Sequence, residues 1–284
     1  MANANTELLK WINECLARGL AADALKDTAV QAGWHPGIVD EAMAEALGAS
    51  DAAAETAIPR APDAPVTGIP GPDLSECANW VDADGRRIYI SAVVKLPRIV
   101  VFQNFLEAYE CDELIELAKP RLQRSLTIDN ATGGEQLHKA RTSDGMFFRR
   151  GEFPLCERIE RRIAAAVRWP VENGEGLQVL HYHHGAQYEP HYDYFDPAQP
   201  GTAKIIQRGG QRVGTVVMYL ATPARGGGTS FPDIGLEVAP IKGSAVFFAY
   251  DKPHPDSKTL HGGSPVTQGE KYVATKWLRE REFA

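Results

Sequence analysis

His191 and Asp193, in "PHYDYF", are residue types that hold divalent metals, and they stand two positions apart. Strand alternation would send both to one face, with Tyr192 and Tyr194 on the other. One imidazole and one carboxylate supply two ligands, and a metal site needs more. His261, in "TLHGGSPV", lies 68 positions after Asp193, just ahead of the last strand pattern, and is the leading third ligand. Two histidines and a carboxylate on one side of a metal make a facial triad. On Fe(II) such a triad leaves positions open for a co-substrate and O2.

Lys271 opens the last strand, "KYVATKWL", and alternation places it on one face with Val273, Thr275 and Trp277. An inward lysine on an otherwise apolar strand is costly unless an anion neutralises it. A dicarboxylic keto acid would do so, chelating the metal at one end and pairing with Lys271 at the other. An edge-strand lysine facing water is the alternative. The histidines also allow other readings. "HYHHG", from His181, contains an HxH pair that could begin a cupin-like or zinc hydrolase site, but no acidic residue follows at the short distance a cupin uses. His191 and His261 could instead be satisfied structural histidines. A structural zinc is a third possibility, although such sites take four closed ligands with more sulfur.

The elements that would position these residues begin late in the chain. Residues 5–47 read as three short helices, with Leu8, Leu9, Ile12 and Leu16 on one apolar face. Ala21 to Gln31 makes the second helix. Pro36 opens the third, with Ile38, Val39, Met43 and Leu47 inward. "AETAIPRAPDAPVTGIPGPDLS" has no apolar period and reads as an extended linker. The expected division is therefore a helical module over 1–48, a linker over 49–75 and a catalytic domain over 76–284. In the last, "WVDADGRRIYI" predicts a hairpin turning at Asp84-Gly85. "ECDELIELAKPRL" predicts a helix with Leu114, Leu117 and Ala118 inward. Pro154 starts another, along Leu155, Ile159, Ile163 and Val167. From Leu177 onward short strands recur between Gly and Pro turns, which predicts an α+β fold: a sandwich or jelly roll buttressed by the preceding helices.

Composition narrows the function. The chain has 284 residues, a net charge of −7 and 44% hydrophobic residues, as a globular protein does. The acidic balance argues against nucleic acid or an anionic membrane as partner. No apolar run is long enough to span a bilayer. Without the pattern of a secretory signal at the N-terminus, and with Cys15, Cys77, Cys111 and Cys156 forming no CxxC pair, the expected compartment is the cytoplasm.

Six segments in order, "ECDELIELAKPRL", "RTSDGMFF", "QVLHYHHGAQYEPHYDYF", "GGQRVGTVVMYL", "GGGTSFPDIGLEVAPIKGSAVFF" and "LHGGSPVTQGEKYVATKWLRE", resemble the 2-oxoglutarate- and Fe(II)-dependent dioxygenases. Within them the match is to the prolyl 4-hydroxylase alpha-subunit-like branch, from about Arg98 to Glu282. The resemblance implies a double-stranded β-helix and makes His191, Asp193 and His261 the iron ligands. Lys271 would hold the far carboxylate of 2-oxoglutarate, with Tyr182, Thr215 and Tyr219 lining its pocket. Tyr188, Arg212, Trp277 and Arg141 fall where peptide-binding members contact substrate. Oxidative decarboxylation of 2-oxoglutarate to succinate and CO2, with O2 consumed and ascorbate as reductant, would drive hydroxylation of a peptidyl proline. A free amino acid or small metabolite is the alternative substrate, and a non-catalytic iron or 2-oxoglutarate sensor the alternative function. Gly228, Gly214 and Ser264 depart from the common pattern and bear on substrate identity. Asp193 stands where the related halogenases have a small residue, so hydroxylation is favoured over halogenation. Separately, "GWHPGIVDEAMAEAL" resembles ubiquitin-associated-type helical bundles, which would make the N-terminal helices a docking module; a plain helical cap fits the same pattern.

Overall fold

The structure is a computed structural model and describes residues 4–17, 22–32, 34, 36–46, 68–75, 78–128, 135–137 and 142–284. Most of the expected linker, Cys77 and Arg141 lie outside the described residues. The chain divides into two compact units, Met1–Asp63 and Ala64–Ala284.

The first unit contains α1 (Ala4–Ala17), α2 (Ala22–Gln31) and α3 (Pro36–Ala46). Leu8 and Ile12, Leu25 and Ala29, and Val39 and Met43 each sit four residues apart, so each pair lies on one helix face. These six and Ala42 form one buried apolar cluster. Leu16 and Ile38 pack against it half-buried, and Leu47 lies outside the described residues.

The second unit opens with β1 (Trp80–Ala83), β2 (Arg86–Val94) and β3 (Arg98–Gln103), followed by α4 (Ala108–Ala118). Asp84 and Gly85, at φ of 51° and 72°, give the β1–β2 hairpin the left-handed pair that a two-residue turn of the primed type needs. Next come β4 (Gln123–Arg124), β5 (Leu126–Ile128), β6 (Glu135–Leu137), β7 (Asp144–Phe147) and α5 (Pro154–Val167). The remaining elements are β8 (Gln178–Tyr182), β9 (Tyr188–His191), the single turn α6 (Thr202–Ile205) and β10 (Arg212–Ala221). After them run β11 (Arg225–Gly226), β12 (Thr229–Phe231), β13 (Leu236–Val238) and β14 (Ala245–Ala249). Last are β15 (His261–Gly263), β16 (Val266–Gln268) and β17 (Lys271–Arg279).

Nine strands pair in the order β1-β2-β3-β14-β10-β17-β8-β7-β4, and four more in the order β13-β12-β15-β9. The strand pairings are antiparallel. Alternation along β17 shows how the layers form. Tyr272, Ala274 and Leu278 join a core with Leu114 and Ile115 of α4 and Leu155, Ile159 and Ile163 of α5. Val273 points the other way, into a cluster with Leu180, Tyr182, Tyr219, Phe231 and Phe248 that fills the space between the two sheets. A large antiparallel sheet thus carries helices on one face and a small sheet on the other, an arrangement consistent with a jelly roll.

Leu114 and Ala118 of α4 are buried and Leu117 packs half-buried on the same core, as expected, and Cys111 and Ile115 join them. Glu110, on the same helix, is fully buried, and its carboxylate accepts from Arg162 Nη1 at 2.6 Å and Nη2 at 2.9 Å on α5. Burial pushes this carboxyl up, but the Arg162 guanidinium outweighs it and holds the pKa below the usual range. Cys111, Cys156 and Cys15 are free thiols. Burial pushes the Cys111 thiol up to about 12, which makes it inert packing.

A second buried ion pair registers β17, the strand that also carries Lys271. Lys276 Nζ donates to Glu160 Oε1 at 2.5 Å, and Oε2 of the same carboxylate accepts from the Gly151 N–H at 2.8 Å. Glu160→Ala should cost about 3–5 kcal/mol in chemical denaturation, because Lys276 is left buried and unpaired. The pair replacement Glu160→Leu with Lys276→Met should recover most of that loss.

Candidate active site

His191 closes β9 and His261 opens β15, and the two are directly opposite in the small sheet. His261 therefore lies in a strand of its own, two strands before β17, rather than just ahead of the final strand as expected. Asp193 is not on a strand. The chain leaves β9 after His191, so bending of the backbone, not alternation, brings the carboxylate back beside the imidazole. Asp193 Oδ1 is 3.6 Å from His191 Nε2, and Oδ2 is 3.4 Å from His261 Nε2. Ligand atoms from all three lie within 4.8 Å of one another.

The tautomers follow from the other ring nitrogens. His191 Nδ1 is 2.9 Å from the Glu189 carbonyl, and His261 Nδ1 is 2.9 Å from the Thr259 carbonyl. A carbonyl can only accept, so each Nδ1 carries a proton, and each Nε2 is the ring nitrogen turned toward Asp193. Burial pushes the His191 imidazole pKa down, and neighbouring His261 adds to the effect. For Asp193 burial acts upward, but His261 and His191 outweigh it and hold the carboxyl well below the usual range. Two imidazoles and one carboxylate are the donor set that a divalent iron takes in a facial triad.

Residues at the start of β10 hold the Asp193 bend. Gln211 Oε1 accepts from the Phe195 N–H and Gln211 Nε2 donates to the Phe195 carbonyl, both at 2.8 Å. Arg212 Nη1 reaches the Asp193 carbonyl at 3.4 Å. Thr215 Oγ1 donates to Asp193 Oδ2 at 2.7 Å and lies 3.0 Å from the Tyr250 hydroxyl. Burial pushes the Tyr250 phenol well above its ordinary value, so it stays protonated and donates to Thr215. The order of donation is Tyr250 to Thr215 to Asp193.

Thr215, placed by resemblance in the co-substrate pocket, donates to the Asp193 carboxylate. Arg212, placed against substrate, is 8% exposed, and its fork is bound to Glu175 at 2.7 and 2.9 Å. Glu175 also accepts from Arg279 at 2.7 Å. The guanidinium is stacked 4.0 Å from the Trp277 ring centroid and 4.8 Å from that of Phe195. A donor fork fully engaged in this way positions its neighbours.

Lys271 is 3% exposed and faces the space between the sheets, directly across from Tyr182 of β8. Its Nζ lies 5.1 Å from the Tyr182 ring centroid and 6.0 Å from that of Tyr219. Tyr219 donates its hydroxyl to Thr229 Oγ1 at 2.8 Å. Among the described residues no carboxylate forms an ion pair with Lys271. Burial pushes the ammonium down to about 8, opposed by more distant Glu237. Gly227, at φ +74°, passes so close that a Cβ there would sit 3.2 Å from Lys271 Cδ. At Gly228, which departs from the family pattern, the Glu237 side chain fills the space a Cβ would need. A buried cation awaiting an anion, beside a His-Asp-His cluster, fits the shape of a chelating dicarboxylate.

Tyr188 stacks on His191, with centroids 3.7 Å apart and planes 23° from parallel. Phe248 and Phe231 wall His261 at 4.4 and 6.0 Å. Trp277 is 8% exposed, and its Nε1 has no hydrogen-bond partner. The rival HxH pair lies elsewhere: His181 and His183 gather with Asp144, away from His191. Sequence reasoning missed Gln211, Tyr250 and Glu175. Tyr250 was accessible as the next alternate position after Phe248, but Gln211 acts through a loop whose course no periodicity gives.

The 2OG-Fe(II) oxygenase superfamily profile matches residues 177–279. Prolyl 4-hydroxylase 5 of Arabidopsis thaliana is 42% identical over 224 residues, covering 71% of this chain and 75% of the relative. Prolyl 4-hydroxylase 2 of the same plant is 40% identical over 218 residues, covering 68% and 71%. Among solved structures, the viral collagen prolyl hydroxylase of Paramecium Bursaria Chlorella virus-1 aligns with a TM-score of 0.49 and 30% identity, over 64% of this chain and 95% of that one. The chain belongs to the 2OG-Fe(II) oxygenase superfamily, in its prolyl 4-hydroxylase family. It is accordingly a 2-oxoglutarate-dependent dioxygenase. No helix among the described residues is long and apolar enough to cross a membrane.

The Thr215 hydroxyl orients a carboxylate that could not otherwise choose its rotamer. Thr215→Val should weaken Fe(II) binding about 10–100-fold, the usual cost of losing a partner that orients a metal ligand. Equilibrium dialysis under anaerobic conditions measures it directly.

Proposed function

We propose that this chain hydroxylates a prolyl residue in a peptide or protein, with Fe(II) held by His191, Asp193 and His261 and 2-oxoglutarate anchored by Lys271. The observation that carries the reading is the pairing of a His-Asp-His cluster with a buried lysine that has no carboxylate partner among the described residues, in a chain of this family. The iron, with 2-oxoglutarate and O2, supplies the oxidising power for C–H hydroxylation and releases succinate and CO2.

The protein's part is positioning and exclusion of water. Glu189 and Thr259 carbonyls fix both imidazoles with Nε2 free. Tyr250 and Thr215 set the Asp193 carboxylate, and Gln211 and Arg212 hold its backbone. Lys271 neutralises the far carboxylate of the co-substrate, between the rings of Tyr182 and Tyr219. Tyr188 and Trp277 are the substrate contacts in this reading: the stacked Tyr188 ring borders the metal ligands, and Trp277 lies on the same face of its strand as Lys271. Ascorbate would keep the iron ferrous between turnovers. The helical module, expected over residues 1–48, docks a protein target for the catalytic domain, expected over 76–284. The free thiols suit a reducing compartment such as the cytoplasm.

The test is an aerobic assay with Fe(II), ascorbate, 2-oxoglutarate and a library of proline-containing peptides and amino acids. A peptide should gain one oxygen at proline, with equimolar succinate, and His191→Ala should abolish both. Oxygen gained by a free amino acid alone would overturn the peptidyl reading. Binding of 2-oxoglutarate without any succinate would make the protein a sensor.

A further inference from the structure

The HxH motif that the iron site does not use has gathered partners of its own. Asp144 of β7 lies directly opposite His181 of β8, and His181 lies opposite Tyr272 of β17. Alternation turns Leu180 and Tyr182 toward the space between the sheets, and Val179 and His181 toward the other face. The His181 ring is fixed flat on Tyr272, with centroids 3.9 Å apart and planes 9° from parallel. His183, two residues on, returns to the same side, with its centroid 3.9 Å from that of His181. His183 Nε2 is 3.1 Å from Asp144 Oδ2, and His181 Nε2 is 3.1 Å from Glu270 Oε2. Glu270 Oε1 is also 3.6 Å from His183 Nδ1.

We propose that Asp144, His181 and His183, with Glu270 as a second carboxylate in reach, form a divalent-metal site of the zinc class, on the face of the large sheet opposite the iron-binding triad. One ligand atom from each of Asp144, His181 and His183 already falls within 4.8 Å of the others. A tetrahedral ion with bonds of about 2.0–2.1 Å holds its ligand atoms roughly 3.3 Å apart, so small side-chain rotations close the site. Two imidazoles exclude Ca(II) and Mg(II), which take oxygen, and favour Zn(II) and its neighbours. Two carboxylates balance the ion's charge. Lys119, at the end of α4, is occupied by Glu116 at 2.5 Å. His181 is 7% exposed, so its ring is held in place beside Glu270 rather than free in solvent. The ion would clamp the ends of β7, β8 and β17. Tyr182 and Lys271 are immediate chain neighbours of His181, His183 and Glu270, so a bound ion braces the wall that holds the co-substrate.

The full chain carrying His191→Ala and His261→Ala removes the triad as a competing zinc site. With Zn(II) alone as probe, this protein should retain one equivalent at micromolar free metal and melt at higher temperature, since the ion binds the folded state. Adding His183→Ala, or His183→Ala with Asp144→Asn, should abolish both effects with an unchanged circular dichroism spectrum. Adding His184→Ala, at an exposed neighbour, should change neither, and Mg(II) should not replace Zn(II). No retained zinc, or zinc retained equally after His183→Ala, would mean an adventitious ion only and would overturn the proposal.

Discussion

The site depends on how one carboxylate is held outside any strand. His191 and His261 are placed by the pairing of β9 with β15, which a regular sheet provides without special effort. Asp193 has no such support. Its backbone is held by Gln211 through Phe195 and by Arg212, and its carboxylate by Thr215. All three lie at or just before the start of β10, so a central strand of the large sheet dictates the geometry of a ligand in the loop after β9. An ionised carboxylate with 7% exposure would be costly on its own. The imidazoles and the Thr215 hydroxyl make its charged form the stable one.

The same economy appears in β17, whose two faces have different duties. Even-numbered residues bind the strand to α4 and α5, with Lys276 locked to Glu160. Odd-numbered residues face the site, and there Lys271 is left without a carboxylate among the described residues. Two buried lysines five residues apart therefore have opposite meanings. One is satisfied by its own chain, and the other is a binding site for an anion that the chain does not supply. Arg212 and Arg279, which share Glu175, belong with the first kind.

Much of this was legible in the sequence because it depends on period and type. The hairpin at Asp84-Gly85, the Pro154 helix start and the inward Lys271 follow from local rules, and the metal ligands from residue types in a family's order. The readings that changed were those that depend on where a side chain's partner comes from. Arg212 reads as a substrate contact until Glu175, 37 positions upstream, is seen bound to its fork. That Thr215 donates to Asp193 shows only once the loop at Asp193 folds back on it. The HxH pair reads in the sequence as the possible start of a cupin-like or zinc hydrolase site that lacks its acidic partner. It could not be placed on the other face until the register with β7 and β17 put Asp144 and Glu270 beside it.

The central claim is that His191, Asp193 and His261 hold Fe(II) with positions open to a 2-oxo acid whose far end Lys271 binds. An anaerobic titration of Fe(II) in the presence of 2-oxoglutarate tests it most directly, because a chelated 2-oxo acid gives ferrous iron a visible charge-transfer band. The band should saturate at one iron per chain. It should require at least tenfold more 2-oxoglutarate in Lys271→Met, as expected for the loss of a buried charge pair worth ~1.4 kcal/mol or more, and be absent in His261→Ala. A full-strength band in His261→Ala, with the same 2-oxoglutarate dependence as the native chain, would contradict the account.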